Sequence, residues 1–138
     1  MKKRNFTKLF SFVLTFILLF AFTANAEPRI DPRWSYLTSI SAYIDISDNI
    51  ASIEISADSD PNDVDKIKAT CSLQRLDGSW KTIKTWTETD NSASILYDKT
   101  YAVYTGYSYR LKITVSVYNN NKLLESATEY YDYGYYDE

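Results

Sequence analysis

The stretch best equipped to hold a cation is Asp58-Ser59-Asp60-Pro61-Asn62-Asp63-Val64-Asp65, with Asp58, Asp60, Asn62, Asp63 and Asp65 as oxygen donors. Calcium takes six to eight oxygens, and an EF-hand loop opens with the same D-x-D-x-N spacing. The match then stops. The sixth position is Asp63 instead of glycine, the twelfth is Ala69 where a bidentate glutamate belongs, and Pro61 interrupts the loop. It reads as a solvated acidic turn, and no metal is assigned to residues 58–65. Nucleophilic chemistry fares no better. The single cysteine, Cys71, alternates with Ile67, Ala69 and Leu73, the pattern of a thiol packed as a small apolar side chain. A reactive thiol needs a depressed pKa and a neighbouring base, and Lys66 and Lys68 fall on the opposite side of the alternation. The chain has no histidine, which removes Ser-His-Asp and Cys-His catalysis and the commonest metal ligand. Glycoside hydrolysis would need two carboxyls about 5–10 Å apart. The acids here fall in turns or at outward positions, with no apolar wall to raise one pKa. The reading is not an enzyme, with no catalytic residue and no cofactor.

What remains is aromatic. The last nine residues, Tyr130-Tyr131-Asp132-Tyr133-Gly134-Tyr135-Tyr136-Asp137-Glu138, contain five tyrosines. Tyrosine offers a large contact area at low rotamer cost and a hydrogen bond at its tip, which is why binding loops use it heavily. Trp80 and Trp86 stand six residues apart in one strand-like run, so either face of residues 80–89 could be the inner one. If their side is the outer one, they make a platform for a glycan. The residues assigned to binding are Trp86, Tyr104, Tyr130, Tyr131 and Tyr133, with a protein or a glycan as partner. The alternative is a structural or self-associating surface protein that pairs through its edge strand and Tyr-rich end.

The start of the chain is of a different kind. Lys2, Lys3, Arg4 and Lys8 precede an uncharged apolar run from Leu9 to Phe22, and Ala24-Asn25-Ala26 supplies the small residues of a cleavage site. That order is a secretory signal peptide over residues 1–26. A retained anchor is the alternative, though a spanning helix needs roughly 20 apolar residues. All six phenylalanines lie in this segment, whereas all 13 tyrosines and three tryptophans follow it. Every aromatic of the remaining 112 residues therefore carries an O–H or N–H and suits a site apolar at one end and wet at the other. Losing four basic residues takes the formal charge from −3 to −7, a poor match for nucleic acid or anionic lipid. The chain is expected to be secreted, extracellular or wall-associated, free of the membrane once cleaved.

These side chains must be positioned by strands, since period-two alternation recurs and helix signals are nearly absent. Residues 27–33, with two prolines, are an extended lead-in. Ile40, Ala42, Ile44 and Ile46 share the inner face of a first strand; Ala51, Ile53, Ile55 and Ala57 share that of a second, across a turn at Ser47-Asp48-Asn49. Ile67, Ala69, Cys71 and Leu73 mark the third. Asp77-Gly78 is the strongest hairpin signal and leads into the fourth, Trp80 to Thr89. Ala93, Ile95 and Tyr97 mark a short fifth. The sixth, within Tyr101–Tyr118, carries Tyr107, Tyr109, Leu111, Ile113, Val115 and Val117 inward. After Asn119-Asn120-Asn121, Leu123–Tyr131 is a weakly patterned edge strand. The expectation is one domain over residues 34–131 followed by a Tyr-rich acidic tail, 132–138. Its fold class is an all-β, seven-stranded antiparallel β-sandwich, with a small OB-like barrel as the alternative.

The strand count and the run Gly106-Tyr107-Ser108-Tyr109-Arg110 resemble an immunoglobulin or fibronectin type III sandwich. In that group a tyrosine near the start of the sixth strand closes a corner by bonding back to the preceding loop; the resemblance offers Tyr107 or Tyr109 for the part. The inter-sheet cysteine pair and the mid-strand tryptophan of the third strand are missing. Leu73-Gln74-Arg75, Asp77-Gly78-Ser79-Trp80, Gly106, Tyr109-Arg110 and Glu125-Ser126 together look like small secreted proteins of Gram-positive bacteria. That likeness implies fold and secretion and brings no catalytic residue with it.

Overall fold

The structure, a computed structural model, describes residues 34–137; the expected signal peptide (1–26) and lead-in (27–33) lie outside the described residues, as does Glu138. Seven strands follow one another: β1 Leu37–Ser47, β2 Ile50–Ser59, β3 Lys66–Asp77, β4 Ser79–Asp90, β5 Ser94–Ala102, β6 Tyr107–Asn119 and β7 Lys122–Tyr136. Every neighbouring pair is antiparallel. They form a three-stranded sheet, β1-β2-β5, and a four-stranded sheet, β4-β3-β6-β7. Two separate sheets make an all-β sandwich, compatible with an immunoglobulin- or fibronectin type III-like fold, and not a closed barrel.

Local chemistry explains the turns. Asp48 and Asn49 join β1 to β2, and Asn120 and Asn121 join β6 to β7, all four with positive φ. Two consecutive left-handed residues match the twist of a two-residue hairpin, and asparagine and aspartate tolerate that conformation. Between the sheets, Ile53, Ile55, Ala57, Ile67, Leu73, Leu111, Ile113, Val115 and Val117 are essentially inaccessible. Each of the buried valine, leucine and isoleucine side chains contributes about 1.5–3 kcal/mol.

Three strand boundaries differ from the sequence reading. The fifth strand continues to Ala102, because Lys99 faces inward at the border of the sandwich and donates to Glu88 across the gap at 2.7 Å. An inward charge broke the apolar alternation there. The sixth begins at Tyr107, since Tyr101 belongs to β5. The residues assigned to a tail from 132 onward continue β7 to Tyr136, whose register partner is Tyr107.

Bulges set the faces of the border strands. In β4, Leu73 pairs with Lys84 and Gln74 with Thr82, leaving Ile83 as an extra residue. The phase inverts there: Trp80 and Thr82 lie on the outer face and Trp86, opposite buried Cys71, on the inner one. In β7, Tyr109 pairs with Gly134 and Arg110 with Asp132, so Tyr133 is extra. Gly134, at φ +99°, supplies the backbone angle that lets β7 rejoin β6.

Candidate functional site

The two flanks of the sandwich are closed by side chains. On the β1–β7 flank, the Glu125 carboxylate accepts the backbone N–H groups of Ser35, Tyr36 and Leu37 at 2.9, 2.8 and 2.8 Å. Burial alone would raise the Glu125 pKa; the three amides outweigh it and hold the carboxyl below its usual range. Further along, the Tyr131 hydroxyl donates to the Ile40 carbonyl at 2.7 Å and the Tyr133 hydroxyl to the Ile46 carbonyl at 3.3 Å. Tyr136 accepts the Asn49 N–H at 3.1 Å. On the β4–β5 flank, Trp86 meets Tyr101 edge-on at 6.1 Å, beside the Lys99–Glu88 pair. Tyr97 reaches the Ala69 carbonyl at 3.4 Å.

This geometry sorts the aromatics expected to bind. Trp86, Tyr131 and Tyr133 are half-buried and pack against the core, with their polar tips or ring edges engaged inside the fold, and they close the flanks. Trp80 and Trp86 lie on opposite faces, so no double-tryptophan surface exists. Tyr104 and Tyr130 stay outside, 72 % and 50 % exposed. Tyr104 is an exposed ring on a fixed backbone: the buried Tyr109 hydroxyl donates to its carbonyl at 2.7 Å and accepts its N–H at 3.1 Å. Tyr109, and not Tyr107, is the corner tyrosine.

The outer face of the four-stranded sheet holds the most developed cluster. Arg110, in β6, lies between two rings, with its guanidinium carbon 4.2 Å from the Trp80 centroid and 4.6 Å from that of Tyr130. Its Nε donates to Gln74 Oε1 at 2.8 Å, and Gln74 in turn donates to Thr82 at 3.1 Å. The row thus runs from one border strand to the other through both central strands. Exposed Leu76 and Tyr135, the latter 62 % accessible, occupy the next row. Behind the cluster the same face is a hydroxyl ladder whose members pair with one another: Thr70 with Thr87, Ser72 with Thr85, Thr114 with Thr128 and Ser116 with Ser126, all at 2.9–3.1 Å. Lys66, Lys68, Arg110 and Lys112 alternate outward here, whereas the opposite outer face of the sandwich carries Asp45, Glu54, Asp58 and Asp98. Of this cluster the sequence reading assigns only Tyr130 to binding; it raises Trp80 as half of a glycan platform and Tyr135 within the Tyr-rich end, and misses Arg110, Gln74 and Leu76. Their one signal was the outward phase of β6, which places Arg110 beside whatever its neighbours supply.

The acidic loop is occupied with its own turn. Asp60 Oδ1 accepts both the backbone and the side-chain amide of Asn62 at 2.9 Å, and Asp65 accepts the Asn120 N–H at 2.7 Å. Asp58 lies in β2 and accepts from Ser39 at 2.9 Å. Among the described residues no group of three or more histidine, cysteine or acidic side chains converges as a metal would require.

Cys71 is fully buried, and burial pushes its thiol up to about 12. In the native protein at about pH 8 it is expected to resist thiol reagents for hours and to react in stoichiometric amount once denaturant is added. Rapid labelling without denaturant would refute that placement.

No protein-family model matches the chain, and no curated protein matches it.

Proposed function

We propose that the protein is an exported, non-catalytic binding module that holds a protein ligand on the outer face of its four-stranded sheet, around Arg110. The observation that carries this reading is the sandwiched guanidinium, fixed between Trp80 and Tyr130 and bonded to Gln74, with Tyr135 and Leu76 exposed beside it. Tryptophan, tyrosine and arginine dominate the energetic centres of protein interfaces, and rings already held in place lose little entropy on binding. Leu76 and Tyr135 have no evident part in the fold, so their exposure is what a contact surface would need. Export rests on the basic, apolar and small-residue order of residues 1–26. A non-catalytic role is consistent with the missing histidine and the buried thiol, which burial keeps protonated.

The same geometry favours a polypeptide over a glycan. A sugar stacks on an open ring face and bonds to free hydroxyls; here Arg110 takes one face of each neighbouring ring, and the ladder hydroxyls bond to each other. The surplus of lysine and arginine on this face suits a partner with acidic groups at its rim. Assembly through border strands has less to draw on, since bulges at Ile83 and Tyr133 interrupt both borders of the larger sheet.

The test uses the immobilised chain against extracellular proteins and, separately, cell-wall glycan. Combined Leu76→Ser, Tyr130→Ser and Tyr135→Ser changes are expected to weaken retention of bound protein by about tenfold or more. Tyr43→Ser with Leu96→Ser, on the acidic face, should leave retention unchanged. Equal retention by both variants, or retention of glycan alone, would overturn the reading.

A further inference from the structure

The molecule has two described arginines at the same end of the sandwich, and they are in opposite states. Arg110 is bonded and stacked on both sides. Arg75, whose register partner is Tyr109, points between the sheets. Its Nε is buried with no hydrogen-bond partner. Its nearest acid oxygen, on Asp77, stands at 3.7 Å, beyond hydrogen-bond reach, and Asp77 already accepts from Lys81 at 3.3 Å. One face of the guanidinium rests on Tyr107, 4.3 Å from the ring centroid. Stacking fixes the plane; Nε is left without a hydrogen-bond partner, and the terminal nitrogens have only the long ion pair to Asp77.

Those donors border a cavity of about 360 Å³ between the ends of β3, β4 and β5, lined by Arg75, Ile83, Tyr101, Val103, Tyr104 and Tyr109. Apart from the arginine its side chains are aliphatic or tyrosine, and polar atoms share the lining with apolar ones. The Tyr109 hydroxyl is already committed to Tyr104, and the Tyr101 ring leans on Trp86. The volume lies at the small end of ligand pockets, room for one side-chain-sized group. A cleft with aliphatic and tyrosine walls that ends in one planar, oriented guanidinium without a short hydrogen bond is the complement of an apolar group ending in a carboxylate, which a guanidinium takes in two parallel hydrogen bonds.

We propose that this cavity is a second binding site, distinct from the Arg110 surface, that takes a carboxylate attached to an aromatic or branched apolar group. The apolar part lies against Ile83, Val103 and Tyr104. The carboxylate meets the terminal nitrogens of Arg75, because Nε is closed off from outside. Two sources share this chemistry: the C-terminal residue of a peptide and a free small organic acid.

Three probes separate them in a nuclear magnetic resonance titration of the purified chain: N-acetyl-L-phenylalanine, its C-terminal amide, and 3-phenylpropionate. The acids are expected to shift the Ile83 and Val103 methyl signals and the Arg75 Nε–H, while the amide binds about tenfold more weakly or worse. A preference for N-acetyl-phenylalanine identifies a chain end; equal binding of the two acids identifies a free acid. Arg75→Gln should weaken acid binding by about tenfold or more, and Lys81→Gln should not. Should Arg75→Gln fail to fold, Ile83→Trp, which enlarges a lining side chain and keeps the arginine, should block binding instead. Equal shifts from acid and amide, shifts confined to other surfaces, or no shift at about 10 mM would overturn the proposal.

Discussion

Replacing Glu125 with alanine is expected to lower stability by about 2–3 kcal/mol at neutral pH, a fall in Tm of roughly 10–20 °C for a domain of this size. The carboxylate holds three successive backbone amides at the start of β1. A charged acceptor bonds about twice as strongly as a neutral one. The Ser35 bond is exposed and counts least, which is why the estimate stays well below three full charge-assisted bonds. Glu125→Gln keeps one acceptor oxygen and should lose about half as much. The pH dependence separates the charge from the shape. Glu125 titrates lower in the folded protein than in the unfolded chain. Its contribution is therefore complete above the unfolded value, about 4.3, and is lost as pH falls through the folded one. Denaturant titrations of wild type and Glu125→Gln should differ at about pH 7 and converge as the pH falls below the folded value. A gap that persists in acid would mean that packing, and not the carboxylate, carries the effect.

The second large effect is at the corner. Tyr109→Phe keeps the buried ring and deletes one hydroxyl that both donates to and accepts from Tyr104. Two backbone groups of the Val103–Gly106 loop lose their partner at once, at a cost of about 2 kcal/mol. Tyr107→Phe removes a hydroxyl for which the described residues show no partner, and it should stay within about 0.5 kcal/mol of wild type. Hydrogen exchange gives an independent readout: the Tyr104 amide should lose protection in Tyr109→Phe and keep it in Tyr107→Phe. Equal destabilisation by the two changes would remove Tyr109 from the corner.

How far the sequence could be read follows from where the strands lie. In β1, β2, β3 and β6 one face meets the core along the whole strand, so alternation alone named the buried residues from Ile44 to Val117. The asparagine and glycine turns were equally legible, because few residues accept positive φ. The border strands were not. β4 carries an extra residue at Ile83, and period two read across a bulge puts Trp80 and Trp86 on one side when they lie on opposite sides. β5 and β7 turn Lys99, Glu125 and Tyr131 inward, where a border position lets polar tips reach partners on the facing sheet. The candidate site was illegible for a related reason. Arg110, Gln74, Trp80 and Tyr130 come from four strands, and only the register makes them neighbours. Tyr131 and Tyr133 looked like contact residues because a tyrosine that bonds to a carbonyl inside the fold and one that faces a partner have the same letter.

The Glu125 and tyrosine bonds to the first strand join residues 87 to 91 positions apart. During synthesis the first strand emerges long before the last, and carbonyls such as those of Ile40 and Ile46 must wait for side chains that do not yet exist. Its hairpin with β2 can form early, but the flank cannot be sealed until β7 has docked. Contacts this remote in sequence are slow to form, because chain entropy is lost before they are gained. Sealing the β1–β7 flank is therefore expected among the last steps of folding, with β7 as the closing piece.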